Sequence, residues 1–66
     1  MLEDVYRGYR IKVAGERFWL AKITEIVSGR DAPPHVTVPL DQSPERCRDL
    51  ARHELDRYIA FLGDSG

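Results

Sequence analysis

The sequence predicts an α+β fold, in which a three-stranded antiparallel β-meander carries one C-terminal α-helix on one of its faces. Three observations predict it: alternating apolar and polar residues in the first half, one proline-containing loop in the middle, and an amphipathic helical pattern in the second half. With 66 residues, of which 42% are hydrophobic and 32% charged, the composition is typical of a single globular domain spanning residues 1–66.

The first half of the chain predicts three strands, at about residues 4–14, 17–27 and 35–39. The second strand is rich in aromatic and β-branched residues, which favour extended structure. Pro39 has no N–H to donate and therefore confines the third strand to an edge of the sheet. Side chains alternate between the two faces of a strand, so the first strand should place one set on the presumed core face: Val5, Arg7, Tyr9, Ile11 and Val13.

The second half predicts one helix over about residues 44–62. Ser43 is a suitable N-cap, and Pro44 at the first helical position already has a helical φ. Gly63 is a suitable residue to end the helix. At 100° per residue one stripe of apolar side chains should face the sheet, and it consists of Cys47, Ala51, Leu55, Tyr58 and Leu62. Ile59 lies beside this stripe.

The length of the first hairpin loop decides which face of the second strand the helix covers. A two- or four-residue loop places Phe18, Leu20 and Ile26 on the Val5 face. A three-residue loop instead places Trp19, Ala21, Ile23 and Val27 there, and we favour it because that series is interrupted only by Glu25. In both cases large apolar side chains remain on the face that the helix does not cover.

An uncovered apolar patch ringed by arginine and lysine is typical of an interface. The expected partner is another protein or a second copy of the chain, since symmetric dimers are common among small domains. The alternative is that the loop at 28–35 or the N-terminus folds over the patch. The candidate interaction surface comprises Tyr6, Arg10, Lys12, Arg17, Phe18, Trp19 and Leu20.

Glu54 falls within the apolar sector of the predicted helix. An unpaired buried carboxylate is costly, so Arg7 on the presumed core face is a candidate partner for a buried ion pair. The alternative is that Glu54 reaches solvent between rim residues.

Candidate chemistry is sparse. Cys47 is the only cysteine, which excludes an internal disulfide and a cysteine-cluster metal site, and a small buried hydrophobe is its expected role. His53-Glu54 would need a histidine at position 57 to form a zinc helix, and that residue is Arg57. We therefore expect no enzymatic activity, cofactor or metal. The N-terminus carries no apolar signal region and no run is long enough to span a membrane, which predicts a cytoplasmic protein.

The charge is divided between the two halves of the chain. Residues 1–30 carry six Lys and Arg against four acids, and residues 31–66 carry four Arg against seven acids. Basic residues of the first hairpin could contact phosphates while Trp19 stacks on a base. The same charges also keep a long edge strand from pairing with other chains, and we favour that interpretation.

The chain resembles the small β-β-β-α domain of HicB-type antitoxins. The matching residues are Gly15 and Trp19-x-Ala21 in the second strand and Ser43-Pro44-Glu45 at the helix start. The chain also resembles small bacterial proteins of unknown activity with a Tyr-Arg-Gly-Tyr-Arg-Ile-like first strand, here Tyr6 to Ile11. The resemblance to antitoxins implies a regulatory role. From the residues themselves we predict a non-enzymatic interaction module that binds through the uncovered sheet face or edge, and nucleic-acid binding or antitoxin-like regulation is the alternative.

Overall fold

The C-terminal helix packs on one face of an antiparallel sheet, as predicted, but the sheet has four strands. In the computed structural model, which describes residues 2–64, the strands follow the order β1-β2-β3-β4. The elements are β1 (Leu2–Tyr6), β2 (Tyr9–Gly15), β3 (Phe18–Glu25), β4 (Val36–Pro39) and α1 (Pro44–Asp64).

The prediction of one strand over residues 4–14 is wrong, because a turn at Arg7-Gly8 divides this segment into β1 and β2. Arg7 has φ 53° and Gly8 has φ 84°, and two central residues with positive φ form the tight turn that matches the twist of a hairpin. Tyr6 therefore pairs with Tyr9, and these two side chains share a face. Val5 is turned to the opposite side, where it is 59% exposed.

The register between β2 and β3 decides which side chains of the second predicted strand face the helix. Gly15 pairs with Trp19, which leaves three residues between them and favours the three-residue alternative. Ala21 and Ile23 are accordingly buried on the helix side. Val27 was expected to continue this series and is instead 94% exposed, because β3 ends at Glu25.

The third predicted strand, 35–39, is β4, and it lies at the edge of the sheet as Pro39 indicated. Before it, the chain returns along the end of β3. The Ala32 N–H donates to the Ile23 carbonyl at 2.8 Å, and the Glu25 N–H donates to the Arg30 carbonyl at 2.8 Å. Ala32 is 5% exposed, so this loop contributes to the core.

The helix begins as predicted and ends later than predicted. The Arg46 N–H donates to Ser43 Oγ at 3.3 Å, which confirms the cap. Cys47, Ala51 and Leu55 are fully buried against the sheet. Helical structure continues through Gly63 to Asp64, and Leu62, expected on the buried stripe, is 47% exposed. The core consists of Ile11, Val13, Ala21, Ile23, Ala32, Val36, Val38, Cys47, Ala51 and Leu55.

Candidate interaction surface

The sheet surface opposite the helix, here called the open face, brings together side chains from all four strands. Each strand has its buried residues on the helix side, so the alternate residues lie on the open face. Strand pairing aligns them in rows across the sheet. The open face consists of Glu3, Val5, Arg10, Lys12, Ala14, Phe18, Leu20, Lys22, Thr24, Thr37 and Pro39.

One end of the open face is apolar. Phe18 is 46% exposed and Leu20 is 40% exposed, and they are two residues apart on β3. Ala14 lies beside Leu20 and Pro39 lies beside Phe18 in the strand register. We call Ala14, Phe18, Leu20 and Pro39 the apolar patch. A shallow depression opens at this end of the sheet beside the β2–β3 hairpin.

The middle of the open face is cationic. Lys12 lies directly opposite Lys22 across β2 and β3, and Arg10 is one step further along β2. The Arg10 Nε lies 3.3 Å from a Glu3 carboxylate oxygen, and the Lys22 Nζ lies 3.7 Å from an Asp31 carboxylate oxygen. Like charges directly opposite in a sheet repel each other, and Glu3, which lies opposite Lys12 across β1 and β2, and Asp31 offset part of this positive charge.

The structure divides the predicted interaction surface between two faces. Arg10, Lys12, Phe18 and Leu20 lie on the open face, and Arg17 lies in the adjoining hairpin loop. Tyr6 and Trp19 lie on the helix side, contrary to the expectation that all seven residues form one surface. Sequence reasoning missed Lys22, although it shares the alternation of Leu20, and Val5, which was expected in the core.

Tyr6 and Trp19 are committed to contacts within the fold. The Tyr6 hydroxyl donates to the Asp56 carboxylate, with oxygen–oxygen distances of 2.9 and 3.0 Å. The Trp19 Nε1–H donates to the Gln42 carbonyl at 2.7 Å. These two aromatic rings therefore anchor the helix and the loop before it.

The predicted buried ion pair between Glu54 and Arg7 is wrong. Arg7 lies in the β1–β2 turn, and its guanidinium lies 2.9 Å from Asp56. Glu54 instead lies 3.5 Å from Arg57, one turn along the helix. The side chains of Arg7 and Glu54 are 48% and 40% exposed, so solvent solvates both charges and neither requires a buried partner.

A polar cluster joins β1 to the outer side of α1. The Arg52 Nε donates to the Asp4 carboxylate at 2.8 Å, and the Arg52 guanidinium lies 5.2 Å from the centre of the Tyr6 ring, within cation–π range. The Arg52 hydrogen bond holds the pKa of Asp4 below its ordinary value. Hydrogen bonds from Arg7 and then from Tyr6 lower the pKa of Asp56.

These shifts predict a loss of stability in acid. Asp4 has a lower pKa in the folded state than its ordinary value of about 3.8, so the unfolded state takes up the proton first as the pH falls. Its contribution is complete above the unfolded pKa and disappears as the pH falls through the folded pKa. We expect the urea midpoint to drop from about pH 5 downward, less steeply in Asp4→Asn. The exposed loop residue Asp41, changed to asparagine, is the control, and equal flattening in both variants would contradict the assignment.

Cys47 is a core residue, as predicted. It is fully buried, its Sγ lies 3.6 Å from the Val36 carbonyl oxygen, and burial raises the pKa of its thiol. His35 and His53 are both exposed. Within residues 2–64, no three histidine, cysteine or acidic side chains form a group that could hold a metal ion.

Comparisons of the chain with protein-family models, curated proteins and solved structures return no significant match. The resemblance to HicB-type antitoxins therefore stays a prediction. In the described part of the chain, the helix is not apolar enough to cross a membrane.

Proposed function

We propose that the protein is a non-enzymatic interaction module that binds a protein partner, or a second copy of itself, through the open face or the adjoining sheet edge. The observation that carries this proposal is the exposure of Phe18 and Leu20 side by side on the face opposite the helix. The loop around Ala32 is folded into the core, so it leaves these two side chains open to solvent. A reducing, cytoplasmic location fits the single thiol of Cys47.

The open face has the composition of a binding surface. Large apolar side chains at its end would be covered on binding, and charged side chains next to them would remain at the rim. Phe18 has the rigid aromatic ring that interfaces favour, and Leu20 and Ala14 extend the apolar area beside it. An isolated exposed apolar residue needs no explanation, whereas neighbours on one face favour a partner.

The β1 edge extends the same surface. Because Tyr6 and Tyr9 flank a two-residue turn, they form a hydrogen-bonded pair, and the backbone groups of Glu3 and Val5 point away from β2. The Val5 N–H donates to the Asp4 carboxylate, and the Glu3 backbone groups and the Val5 carbonyl are available to an added strand. The opposite edge is β4, where Pro39 has no N–H to donate.

Nucleic-acid binding or antitoxin-like regulation is the second candidate. Arg10, Lys12 and Lys22 on one face, with Arg17 in the neighbouring loop, favour contacts with phosphates. Base stacking has less support, because Trp19 packs on the helix side and Phe18 is the aromatic residue left on the open face. Protein binding is therefore the first candidate.

Site-specific photo-crosslinking tests the proposal with a matched control. Benzoylphenylalanine would replace Phe18 in one variant and Phe61, which is 67% exposed on the helix, in the other. After irradiation in the native host cells, we expect an adduct with another polypeptide or a second copy from position 18 and a much weaker one from position 61. Absence of an adduct at position 18, or equal adducts at both positions, would overturn the proposal.

A further inference from the structure

We infer that the occupant of the open face is an acidic amphipathic helix of a different protein. This inference rests on the proposed interaction function and deepens it by naming the partner's chemistry. Three features support it: the sign of the charge on the open face, the order of apolar and cationic side chains along β3, and the shortage of aromatic rings available for base stacking.

The charge disfavours a second copy as the occupant. Lys12 and Lys22 face each other and Arg10 lies nearby, whereas Glu3 is the one acidic residue that the described strands place on the open face, so a second copy would bring more cations than carboxylates to this surface. Glu3 already lies 3.3 Å from Arg10 within its own chain. A complementary surface must bring its own carboxylates, because electrostatic complementarity selects partners and like charges exclude them.

The spacing of the side chains along β3 matches the spacing of side chains along one face of an α-helix. Phe18, Leu20 and Lys22 succeed one another on the same face, and each step of two strand residues advances about 6.6 Å. Four residues of an α-helix advance about 6 Å. A helix lying along β3 can therefore place an apolar side chain over Leu20 and a carboxylate, one turn further on, over Lys22.

The side chains around Phe18 favour a protein partner over a nucleic acid. The side chains around Phe18 are aliphatic, namely Leu20 and Ala14. Aliphatic side chains bury apolar area against a helix but provide no ring on which a base can stack.

A synthetic peptide provides a defined probe. It would be about 18 residues long, so that it forms a helix in isolation, with leucines on one stripe and a glutamate four residues after each leucine. A matched peptide would carry lysine in place of each glutamate. Titrated into isotope-labelled protein, the glutamate peptide is expected to shift the backbone NMR signals of Leu20 and Lys22, and the lysine peptide is expected to leave them unchanged.

Charge-reversed variants of the protein test the assigned contacts. Lys12→Glu/Lys22→Glu is expected to weaken binding of the glutamate peptide at least about tenfold, since it replaces attraction by repulsion at two positions. The control Arg46→Glu/Arg57→Glu makes the same change in charge on exposed helix residues and should leave the affinity unchanged. Far-UV circular dichroism would confirm that both variants are folded.

The outcomes separate this inference from the function on which it rests. Equal binding of the two peptides, or displacement of the glutamate peptide by a single-stranded oligonucleotide at low salt, would overturn the acidic-helix assignment. Self-association of the wild-type protein that Phe18→Ser abolishes would overturn it in favour of a second copy. If position 18 still yields adducts in cells while neither peptide binds, the interaction function stands and this inference falls.

Discussion

Replacing Ile23 with alanine is expected to lower the free energy of unfolding by about 2–5 kcal/mol. Ile23 is 1% exposed and pairs with the fully buried Ile11 in the middle of the sheet. Truncation removes buried apolar atoms and leaves a cavity beneath the helix. A domain of this size has a small core, and natural domains are stable by only about 5–15 kcal/mol. Urea unfolding followed by far-UV circular dichroism measures the loss.

Ile26→Ala is the matched control for this prediction. It removes the same atoms from a residue just beyond β3, where the side chain is 44% exposed, and its expected cost is less than about 1 kcal/mol. Equal losses in the two variants would contradict the assignment of Ile23 to the helix side. A larger loss from Ile26→Ala would mean that the helix covers the opposite face of β3.

Local signals predicted the helix and the orientation of the second strand. Ser43 and Pro44 mark a helix start by hydrogen bonding and by a fixed φ, and both effects depend only on neighbouring residues. The buried stripe from Cys47 to Leu55 follows from helical periodicity. Ala21 and Ile23 lie on the predicted side because apolar residues alternate along β3 from Trp19 to Ile23.

The turn at Arg7-Gly8 could not be predicted in the same way. Positive φ at both turn residues favours glycine, asparagine or aspartate, and arginine at φ 53° is an unfavourable choice. Contacts distant in sequence accompany this conformation, because Arg7 and Tyr6 both bind Asp56 on the helix. Alternation alone favoured an uninterrupted strand, so Val5 and Tyr6 were each assigned to the wrong face.

The sequence predicted part of the candidate interaction surface, namely the residues whose faces follow from strand alternation. The sequence required that either Phe18 or Trp19 remain outside the core, and the structure places Phe18 there. Arg10 and Lys12 lie beyond the missed turn, so their alternation was counted correctly. The polar atom of Trp19 finds its acceptor at Gln42, 23 residues away, and a pairing at that separation leaves no local pattern.

Replacing Gly15 with alanine is expected to lower the free energy of unfolding by about 1–3 kcal/mol. A Cβ at this position would lie 2.5 Å from Cε3 of the Trp19 ring, so the ring has to move. Its movement would also strain the hydrogen bond to the Gln42 carbonyl. Urea unfolding measures the loss, and a red shift of Trp19 fluorescence in the folded state would report the displaced ring.

Gly63→Ala separates this packing effect from the general effect of replacing glycine. Gly63 is within the helix and its new Cβ would meet no atom within 4 Å, so alanine should raise stability by up to about 1 kcal/mol through its higher helix propensity. The two variants are thus expected to change stability in opposite directions. A gain in both would show that Trp19 does not lie over Gly15. Because the ring is on the helix side, Gly15→Ala should leave binding at Leu20 and Lys22 intact in the folded protein.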